Sequence, residues 1–450
     1  MRVSSRLIRV GTEYIAMVLV LLGFARVVVN FFKFGYLQAP FVFDIGDTFM
    51  DWFNTAYWAH NPGAYSVWRT IYLPLSFVIT GALGNPRCYG NAPYDARDCD
   101  VFGIVVIVLM YVACCIVAAV AMYRRDRSTA VARSIALCLG GPILFALERG
   151  NLILPALFAF MLAYGGLVRS RGFIAASAVM ANLKIYLLLP LVSLMIERRW
   201  RLFELSLIAI VALYLLTLFF VGAGTPTEFV ANLQNWFNFR SGVVWDEILY
   251  TTTYKPFLQL DVGQYPVRDF IEQPVVDIAK RFIEVEVIVS RTLALACLVL
   301  AWVYPTAVSR SRVVFFVLMQ SFIIQNPGGY AITFVVFLVF MERWRNVPTA
   351  LAIVCAFLIS VPGDMTVTTI FEVERESWLS GRIVQSPYIL PLGSFIRPGM
   401  ILLILWALAF DTLRDIHRAA KAGPPSWGFR RCVKARGEPE AGTPQAPAAG

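Results

Sequence analysis

Apolar residues along the chain are grouped into long blocks that short basic stretches separate. The first block covers residues 12–32, and further blocks lie near 102–122, 130–147 and 151–168. A run of about 20 apolar residues can cross the roughly 30 Å hydrocarbon layer of a bilayer as an α-helix. A helix also satisfies its own backbone hydrogen bonds, which that layer cannot do. The pattern predicts an all-α bundle of about 10–12 membrane helices.

The second half of the chain continues the same pattern. Blocks near 203–221, 286–306 and 389–411 predict membrane helices, and three shorter blocks lie between the last two of these. We therefore predict one membrane domain over residues 1–420. The end of the chain, 421–450, is basic and rich in Pro, Ala and Gly, which predicts a disordered cytoplasmic tail.

Lysine and arginine mark the ends of the blocks and set the predicted orientation. Three arginines precede the first block, and the short connections that follow are basic on one side only. Cytoplasmic loops are enriched in these residues. The pattern therefore predicts a multi-pass protein of the cell (inner) membrane with both termini in the cytoplasm. The long loops predicted to face the other side are those near 34–100, 222–285 and 364–388.

The segment 172–196 does not fit a simple alternation of spans. Arginine clusters on both sides of it have cytoplasmic character, yet two full spans need about 40 residues. We interpret it as a pair of short helices or a re-entrant hairpin, broken near Asn182-Leu183-Lys184. Irregular backbone at membrane depth is tolerated only inside protein or beside a water-filled cavity. The segment is therefore predicted to line a cavity.

Composition agrees with a membrane protein and excludes a nucleic-acid partner. Of 450 residues, 58% are hydrophobic, and the net charge of +10 comes from side chains at the block ends, not from a basic face. Among eight cysteines, only Cys88 and Cys99 share one polar loop, PRCYGNAPYDARDC. If that loop faces an oxidising compartment, these two are candidates for a disulfide.

Acidic side chains follow the first block in FDIGDTFMDWFNTAYWAH. Asp44, Asp47 and Asp51 are spaced three and four apart, so a helix would place them on one face. The alternative is a solvated acidic face just outside the membrane. The aromatic neighbours favour a partly buried helix, where desolvation suits a carboxylate to act as a general base. His60 follows closely and could assist these acids.

Charged residues inside or beside apolar blocks form the second set of candidates. Glu148 and Arg149 lie at the outer end of a helix, where the alternative is an ordinary helix end. Lys184 and Tyr186 lie in the broken segment. A buried ammonium needs a partner such as a phosphate, unless it snorkels or pairs with a carboxylate. The turn Asn326–Tyr330 breaks a helix at the outer side, although it can be a simple connection.

Cofactor motifs are missing from the sequence. Only two histidines occur, and neither a Walker loop nor a GxGxxG after a strand is present, so we predict no ATP, NAD, haem or His-based zinc. A divalent metal held by Asp44 and Asp47 stays open as an alternative that we do not favour.

Three segments in this order resemble the GT-C superfamily of membrane glycosyltransferases, and most of all glycosyltransferase family 87. They are GDTFMDWFNTAYWAHNPGAY, ERGNLILPALFAF and NLKIYLLLPLVSLMIERRWR, which together span about residues 1–202. The downstream half is similar only in hydropathy and in its NPGGY turn. The resemblance implies a GT-C-like fold with long extracytoplasmic loops.

The resemblance also implies an activity. Such enzymes transfer mannose or another hexose or pentose, with inversion, from a polyprenyl-phosphate donor to a lipid or glycan acceptor at the outer leaflet. Metal independence is typical of them, and an outer-loop Asp acts as the general base. The spacing to Tyr65 favours Asp47 for that role, with Asp51 second. The residues expected to bind substrate are Asp44, His60, Tyr65, Glu148, Arg149, Asn151, Lys184, Tyr186, Asn326 and Tyr330.

Two other classes remain as alternatives. A transporter or flippase for polyprenyl-linked glycans or lipids would also place charges near broken helices, but it predicts equal internal repeats, and none is visible. The other alternative is a different membrane transferase, such as a glycan ligase or an acyltransferase. An acyltransferase commonly uses a catalytic histidine within the membrane helices, and the blocks contain none. The membrane glycosyltransferase is therefore the favoured prediction.

Overall fold

The computed structural model describes residues 2–39, 41, 44–221, 224–238, 251, 253–259, 272–325 and 328–423. Within these ranges the chain is mostly helical and contains one two-stranded sheet. The predicted tail beyond residue 423 and several parts of the second predicted outer loop (222–223, 239–250, 252 and 260–271) lie outside the described residues.

The α-helices are numbered α1 to α17 in chain order, and short 3-10 turns connect several of them. The first nine are α1 Arg2–Phe34, α2 Met50–His60, α3 Pro74–Ala82, α4 Pro93–Cys99, α5 Val101–Arg125, α6 Ala130–Cys138, α7 Gly141–Glu148, α8 Ile153–Tyr164 and α9 Ser170–Leu183. The others are α10 Val192–Ile196, α11 Trp200–Val221, α12 Pro226–Asn238, α13 Gln273–Val303, α14 Arg310–Gln325, α15 Ile332–Phe340, α16 Val347–Ser360 and α17 Gly393–Ala422.

Five helical stretches among the described residues are long and apolar enough to cross a membrane, judged by length and composition. Several of them keep large apolar side chains exposed, as Phe32, Ile116 and Phe219 illustrate. Exposed apolar surface of this extent is unusual for a soluble monomer and is compatible with a lipid environment. The five stretches are Leu7–Phe34, Val101–Arg125, Ala130–Glu148, Trp200–Phe219 and Gly393–Ala422.

Shorter apolar helices fill the interior of the bundle. Every residue of α15 is buried, and the ring of Phe160 in α8 packs at 4.9 Å from that of Phe334. A helix that is apolar on all sides can be stable only when neighbours cover every face. α8 and α15 are therefore the central elements around which the longer helices pack.

The chain breaks within the segment 172–196, as predicted. α9 ends at Leu183, Lys184 adopts an extended backbone, and a 3-10 turn over Ile185–Leu191 leads into α10. Pro190 inside that turn cannot donate a backbone hydrogen bond, which opposes a continuous α-helix. Whether this pair forms a re-entrant hairpin in a bilayer stays a prediction.

The predicted single helix at 130–147 is wrong in one respect, because the chain forms two helices there. α6 ends at Cys138, Gly140 is extended, and α7 begins with Pro142 near its first position. Proline is favoured at the start of a helix and opposes its continuation from before, so the Gly-Gly-Pro stretch divides the block.

The described residues are mostly helical, as predicted, but the segment predicted as an outer loop at 364–388 contains a β-hairpin that the sequence did not predict. Strand β1 Thr366–Ser377 pairs antiparallel with β2 Arg382–Pro391. Phe371 faces Tyr388 across the pair, with ring centroids 4.1 Å apart, and Gly381 takes a positive φ in the turn. Threonine and valine favour strands, but the charged residues in this stretch are typical of a polar loop, so the sequence predicted a loop.

Buried ion pairs tie the helices together at the end of the bundle that the sequence assigns to the cytoplasm. Arg133 of α6 binds Glu13 of α1 at 2.7 Å, and both side chains are buried. Arg312 of α14 contacts Asp411 of α17 at 2.6 Å and Glu342 at 3.0 Å. Removing one partner of such a pair would leave a costly buried charge.

Candidate functional site

Asp44, Asp47 and Asp51 do not lie on one helix, so the predicted shared face is wrong. Asp44 caps a 3-10 turn over Ile45–Asp47 by accepting the Gly46 amide at 2.9 Å. Phe49 then takes a left-handed backbone, with φ of 64°, and α2 begins only at Met50. The backbone therefore changes direction between Asp47 and Asp51.

The end of α7 determines this change of direction through backbone hydrogen bonds. The Phe49 amide donates to the Glu148 carbonyl at 2.7 Å, and the Asp51 amide donates to the Arg149 carbonyl at 3.0 Å. Gly150 has a φ of 62°, and an added Cβ would lie 3.1 Å from the Phe49 backbone. Glycine is required here because the two chain segments approach so closely.

Arg149 brings Asp47 and Asp51 together despite the turn between them. Its Nη1 lies 2.9 Å from Asp47 Oδ2, and its Nη2 lies 3.1 Å from Asp51 Oδ1. The second oxygen of Asp51 accepts a hydrogen bond from Asn151 Nδ2 at 2.6 Å. The planar guanidinium suits this bridge because its donors point in fixed directions.

The three charged side chains are partly shielded from water. Arg149 and Asp51 each keep 19% of their side-chain surface exposed, whereas Asp47 keeps 28%. Burial alone would lower the pKa of Arg149, but the charges of Asp51 and Asp47 outweigh it and raise that pKa. Arg149 is therefore permanently charged, and Asp47 is the more accessible carboxylate.

Helix α4 supports Asp47 from the opposite side. Tyr94 Oη donates to Asp47 Oδ1 at 3.1 Å, and burial together with Asp47 raises the pKa of that phenol. Arg97 donates to the backbone carbonyls of Gly46 at 2.5 Å and Thr48 at 3.0 Å. Both donors hold the 3-10 turn in place.

A disulfide anchors the same helix. The Sγ atoms of Cys88 and Cys99 are bonded in the structure, which closes the loop that carries Tyr94 and Arg97. Neither of these two residues was singled out from the sequence as functional. Their position between the two cysteines was the one signal that could have indicated them.

Lys184 stands beside the acidic cluster in an aromatic environment. Its Nζ lies 4.8 Å from the ring centroid of Tyr72 and 5.8 Å from that of Tyr330. Asp51 is the charged group whose field acts on this ammonium. Cation–π contacts of this kind stabilise a charge that water cannot fully reach. Tyr72 was not predicted, because nothing in its sequence context distinguishes it from other aromatic residues.

Tyr186 and Tyr330 belong to the same aromatic wall. The Tyr186 ring packs at 5.7 Å from Phe322 and 6.3 Å from Phe334. Its hydroxyl is buried and has no hydrogen-bond partner within the described part of the chain. An unpaired buried hydroxyl is costly, so it suits a ligand that can supply the missing partner. Asn326, the other end of the predicted turn, lies outside the described residues.

Glu148 lies deeper than the other acids. It is buried, with 5% of its surface exposed, and it accepts a hydrogen bond from Thr48 Oγ1 at 3.0 Å. Its second oxygen finds no partner among the residues that the structure describes. Glu148 therefore contributes to the loop geometry through Thr48, and its charge also acts on the neighbouring Arg149.

Three predicted site residues are held elsewhere. Asp44 pairs with Arg375 of β1, and His60 stacks on the Tyr89 ring at a centroid distance of 4.6 Å. Burial lowers the pKa of His60, although nearby Asp100 opposes the shift. Its Nε2 atom is buried and has no hydrogen-bond partner among the described residues, so the imidazole makes no hydrogen bond to the Asp47 cluster through this atom.

Tyr65 is the third predicted site residue that lies away from the acidic cluster. It is buried, and its Oη donates to the Tyr72 carbonyl at 3.0 Å. It therefore supports the chain beside Lys184 without reaching the acids.

Metal ligands do not gather in the described ranges. No three His, Cys, Asp or Glu side chains there could hold one ion together. Asp44 and Asp47, the pair suggested by the sequence, each engage a different arginine.

No protein-family description, curated protein or solved structure matches this chain. A partly exposed carboxylate beside cationic donors can accept a proton while the donors hold an anion.

Proposed function

We propose that the protein is an integral membrane glycosyltransferase. It transfers a sugar from a polyprenyl-phosphate donor to the hydroxyl of a lipid or glycan acceptor on the extracytoplasmic face. The observation that carries this proposal is the convergence of Asp47, Asp51, Arg149 and Lys184 at one end of an apolar helical bundle.

The carboxylates supply the base. In an inverting transfer, the acceptor oxygen attacks the anomeric carbon while a carboxylate removes its proton, and the bond to the lipid phosphate breaks. Asp47 is favoured as the base because it is more exposed than Asp51. Asp51, held by both Arg149 and Asn151, suits a positioning role.

The cations supply stabilisation of the leaving group. A departing lipid phosphate gains negative charge, and preorganised donors lower the barrier when they are aimed at that charge. Lys184 is suited to this task, since its ammonium has aromatic neighbours and no ion pair within 4.0 Å in the described part of the chain. The hydroxyls of Tyr186 and Tyr330 lie on the same wall.

The pairing of charges supports the proposed multi-pass arrangement. Residues that the sequence assigns to the outside pair with one another, as Asp47 does with Arg149. Residues assigned to the cytoplasmic side also pair with one another, as Glu13 does with Arg133. This segregation supports the placement of the two sets of residues on opposite sides of the membrane, as the proposed arrangement of about 10–12 membrane helices with cytoplasmic termini requires.

Purified protein in lipid nanodiscs, given a polyprenyl-phosphate mannose labelled in the sugar, tests the activity. Transfer should release free polyprenyl phosphate and label an acceptor lipid. Movement of the intact donor across the bilayer without its cleavage would instead indicate a flippase, and would reject the proposal.

Variants locate the chemistry. Asp47→Asn should lower the transfer rate by roughly 100-fold or more, because the amide cannot accept the proton. Asp95→Asn is the matched control, since Asp95 is exposed in the same loop. Unchanged transfer in the double variant Asp47→Asn/Asp51→Asn would contradict the assignment.

A further inference from the structure

Two adjoining cavities meet at Arg26, beside the β-hairpin. The smaller one, of about 70 Å³, is lined by polar groups that include Gln38 and Ser386. The larger one, of about 390 Å³, is lined mainly by apolar residues. Arg26 and Asp364 belong to the lining of both. A polar cavity therefore adjoins an apolar groove at one arginine.

The groove lies between helices that could face lipid. Gly23 of α1 contributes to one wall, and an added Cβ there would lie 2.7 Å from the Pro362 carbonyl oxygen. Phe145 of α7 contributes to a second wall, and Ile396 and Met400 of α17 to a third. Hydrocarbon is the kind of ligand that such a lining accommodates.

Arg26 is an unusual residue for its position. It lies within the apolar stretch Leu7–Phe34, its side chain is exposed, and no carboxylate in the described ranges lies within 4.0 Å of it. Asp364 is committed elsewhere: it binds Arg397 at 2.8 Å and caps the Gly393 amide at 2.8 Å. An ionisable residue within a membrane helix is by default a sign of function.

We propose that Arg26 and the two cavities bind a membrane lipid with an anionic phosphate head group. The phosphate lies against Arg26 in the polar cavity, and a hydrocarbon chain occupies the groove. Charge complementarity carries this choice of ligand, because a guanidinium binds phosphate through paired, charge-assisted hydrogen bonds. A free phosphate would leave the groove empty, and a neutral lipid would leave Arg26 without a counter-charge.

The groove also reaches the wall of the acidic cluster. The Phe145 ring lies 5.5 Å from that of Tyr330, which in turn stands over Lys184. A bound hydrocarbon chain in the groove would therefore contact Phe145, which packs against the Tyr330 ring. The lipid site does not depend on glycosyl transfer, and its binding can be measured without it.

The competing explanation is that Arg26 only reaches the lipid interface. It lies eight residues before the end of α1, a rise of about 12 Å along the helix, so its long side chain could extend to bulk head groups. In that case it would attract anionic lipid weakly and without using the groove.

Native mass spectrometry of the full-length protein in detergent distinguishes these explanations. The probe is dioleoyl phosphatidic acid, with dioleoylglycerol and inorganic phosphate as comparisons. We expect the protein to retain the phosphatidic acid and neither of the other two. Arg26→Gln should weaken retention at least about tenfold, and Arg26→Lys should restore part of it.

Two further variants test whether lipid binding depends on Arg26 in particular and on the groove. Lys33→Gln is the matched control, since it removes a cation seven residues later on the same helix face and should not change binding. Ile396→Trp should fill the groove and reduce binding of phosphatidic acid while Arg26 is intact. Equal retention by Arg26→Gln or Ile396→Trp, or equal retention of dioleoylglycerol, would overturn the proposal.

Discussion

At the scale of single residues, Arg149 binds two carboxylates that lie on either side of a change in backbone direction. Phe49 turns the backbone between Asp47 and Asp51, yet both carboxylates reach the same guanidinium. Arginine can do this because its five donors lie in one plane. A lysine at this position would offer a compact charge that cannot meet both carboxylates with the same geometry.

Arg149→Lys should therefore fold but lose part of the site. We expect a loss of about 1–2 kcal/mol in unfolding free energy, since one carboxylate loses its charge-assisted hydrogen bond. Sugar transfer should fall at least roughly tenfold. Thermal unfolding and the labelled-donor assay measure the two effects. Arg87→Lys, an exposed change in the same outer loop, serves as control, and equal behaviour of the two variants would contradict the bridging role.

The variant Lys184→Gln tests the contribution of the positive charge apart from that of the aromatic residues around it. Glutamine is polar and only one bond shorter than lysine, but it is uncharged and cannot offset the charge of a departing phosphate, so transfer should slow by roughly 100-fold. The test is the single-turnover rate with labelled donor. A rate like that of the unmodified protein would remove Lys184 from the mechanism.

At the scale of elements, the carboxyl end of α7 acts as a template for the start of α2. Gly150 makes this possible, because its left-handed backbone and missing Cβ let the two segments approach. Gly150→Ala should cost about 1–3 kcal/mol, from the strained backbone and the contact with Phe49. Gly90→Ala, which has open space around its Cβ, is the control in the same thermal-unfolding experiment.

The Cys88–Cys99 disulfide, in the first predicted outer loop, should contribute to both the stability and the activity of the protein. It closes a loop of 11 residues in sequence separation, which corresponds to about 2–3 kcal/mol in the chain-entropy description. Replacing both Cys88 and Cys99 by serine should lower the unfolding temperature and weaken the support that Tyr94 gives to Asp47. A reducing agent should then affect only the unmodified protein; an equal effect on the serine variant would contradict the role of this bond.

Much of this level of organisation could be predicted from the sequence. The apolar blocks predicted the long helices, and the break at Lys184 followed from the short distance between two basic clusters. The hairpin could not be predicted in the same way, because its period-two pattern is interrupted by charges. The Asp47–Arg149 contact joins residues 102 positions apart, and local patterns carry no information on such a pairing.

At the scale of the whole molecule, charged groups are divided between the two ends of an apolar bundle. A cysteine at Asp95 should therefore react with a membrane-impermeant maleimide from outside intact spheroplasts. A cysteine at Arg127 should react only in inverted vesicles. Both positions are exposed, and replacing Cys432 by serine removes a background thiol. Labelling of both positions from one side would contradict the proposed orientation.

Side chains of the β-hairpin contact the first predicted outer loop, which lies far away in the sequence. Arg375 pairs with Asp44, and Trp378 Nε1 donates to Asp98 at 2.7 Å, across 280 positions. A nascent chain must therefore extend past the second strand before these anchors for its first loop exist. Ribosomes that stop earlier would release fragments with helices but without a fastened loop.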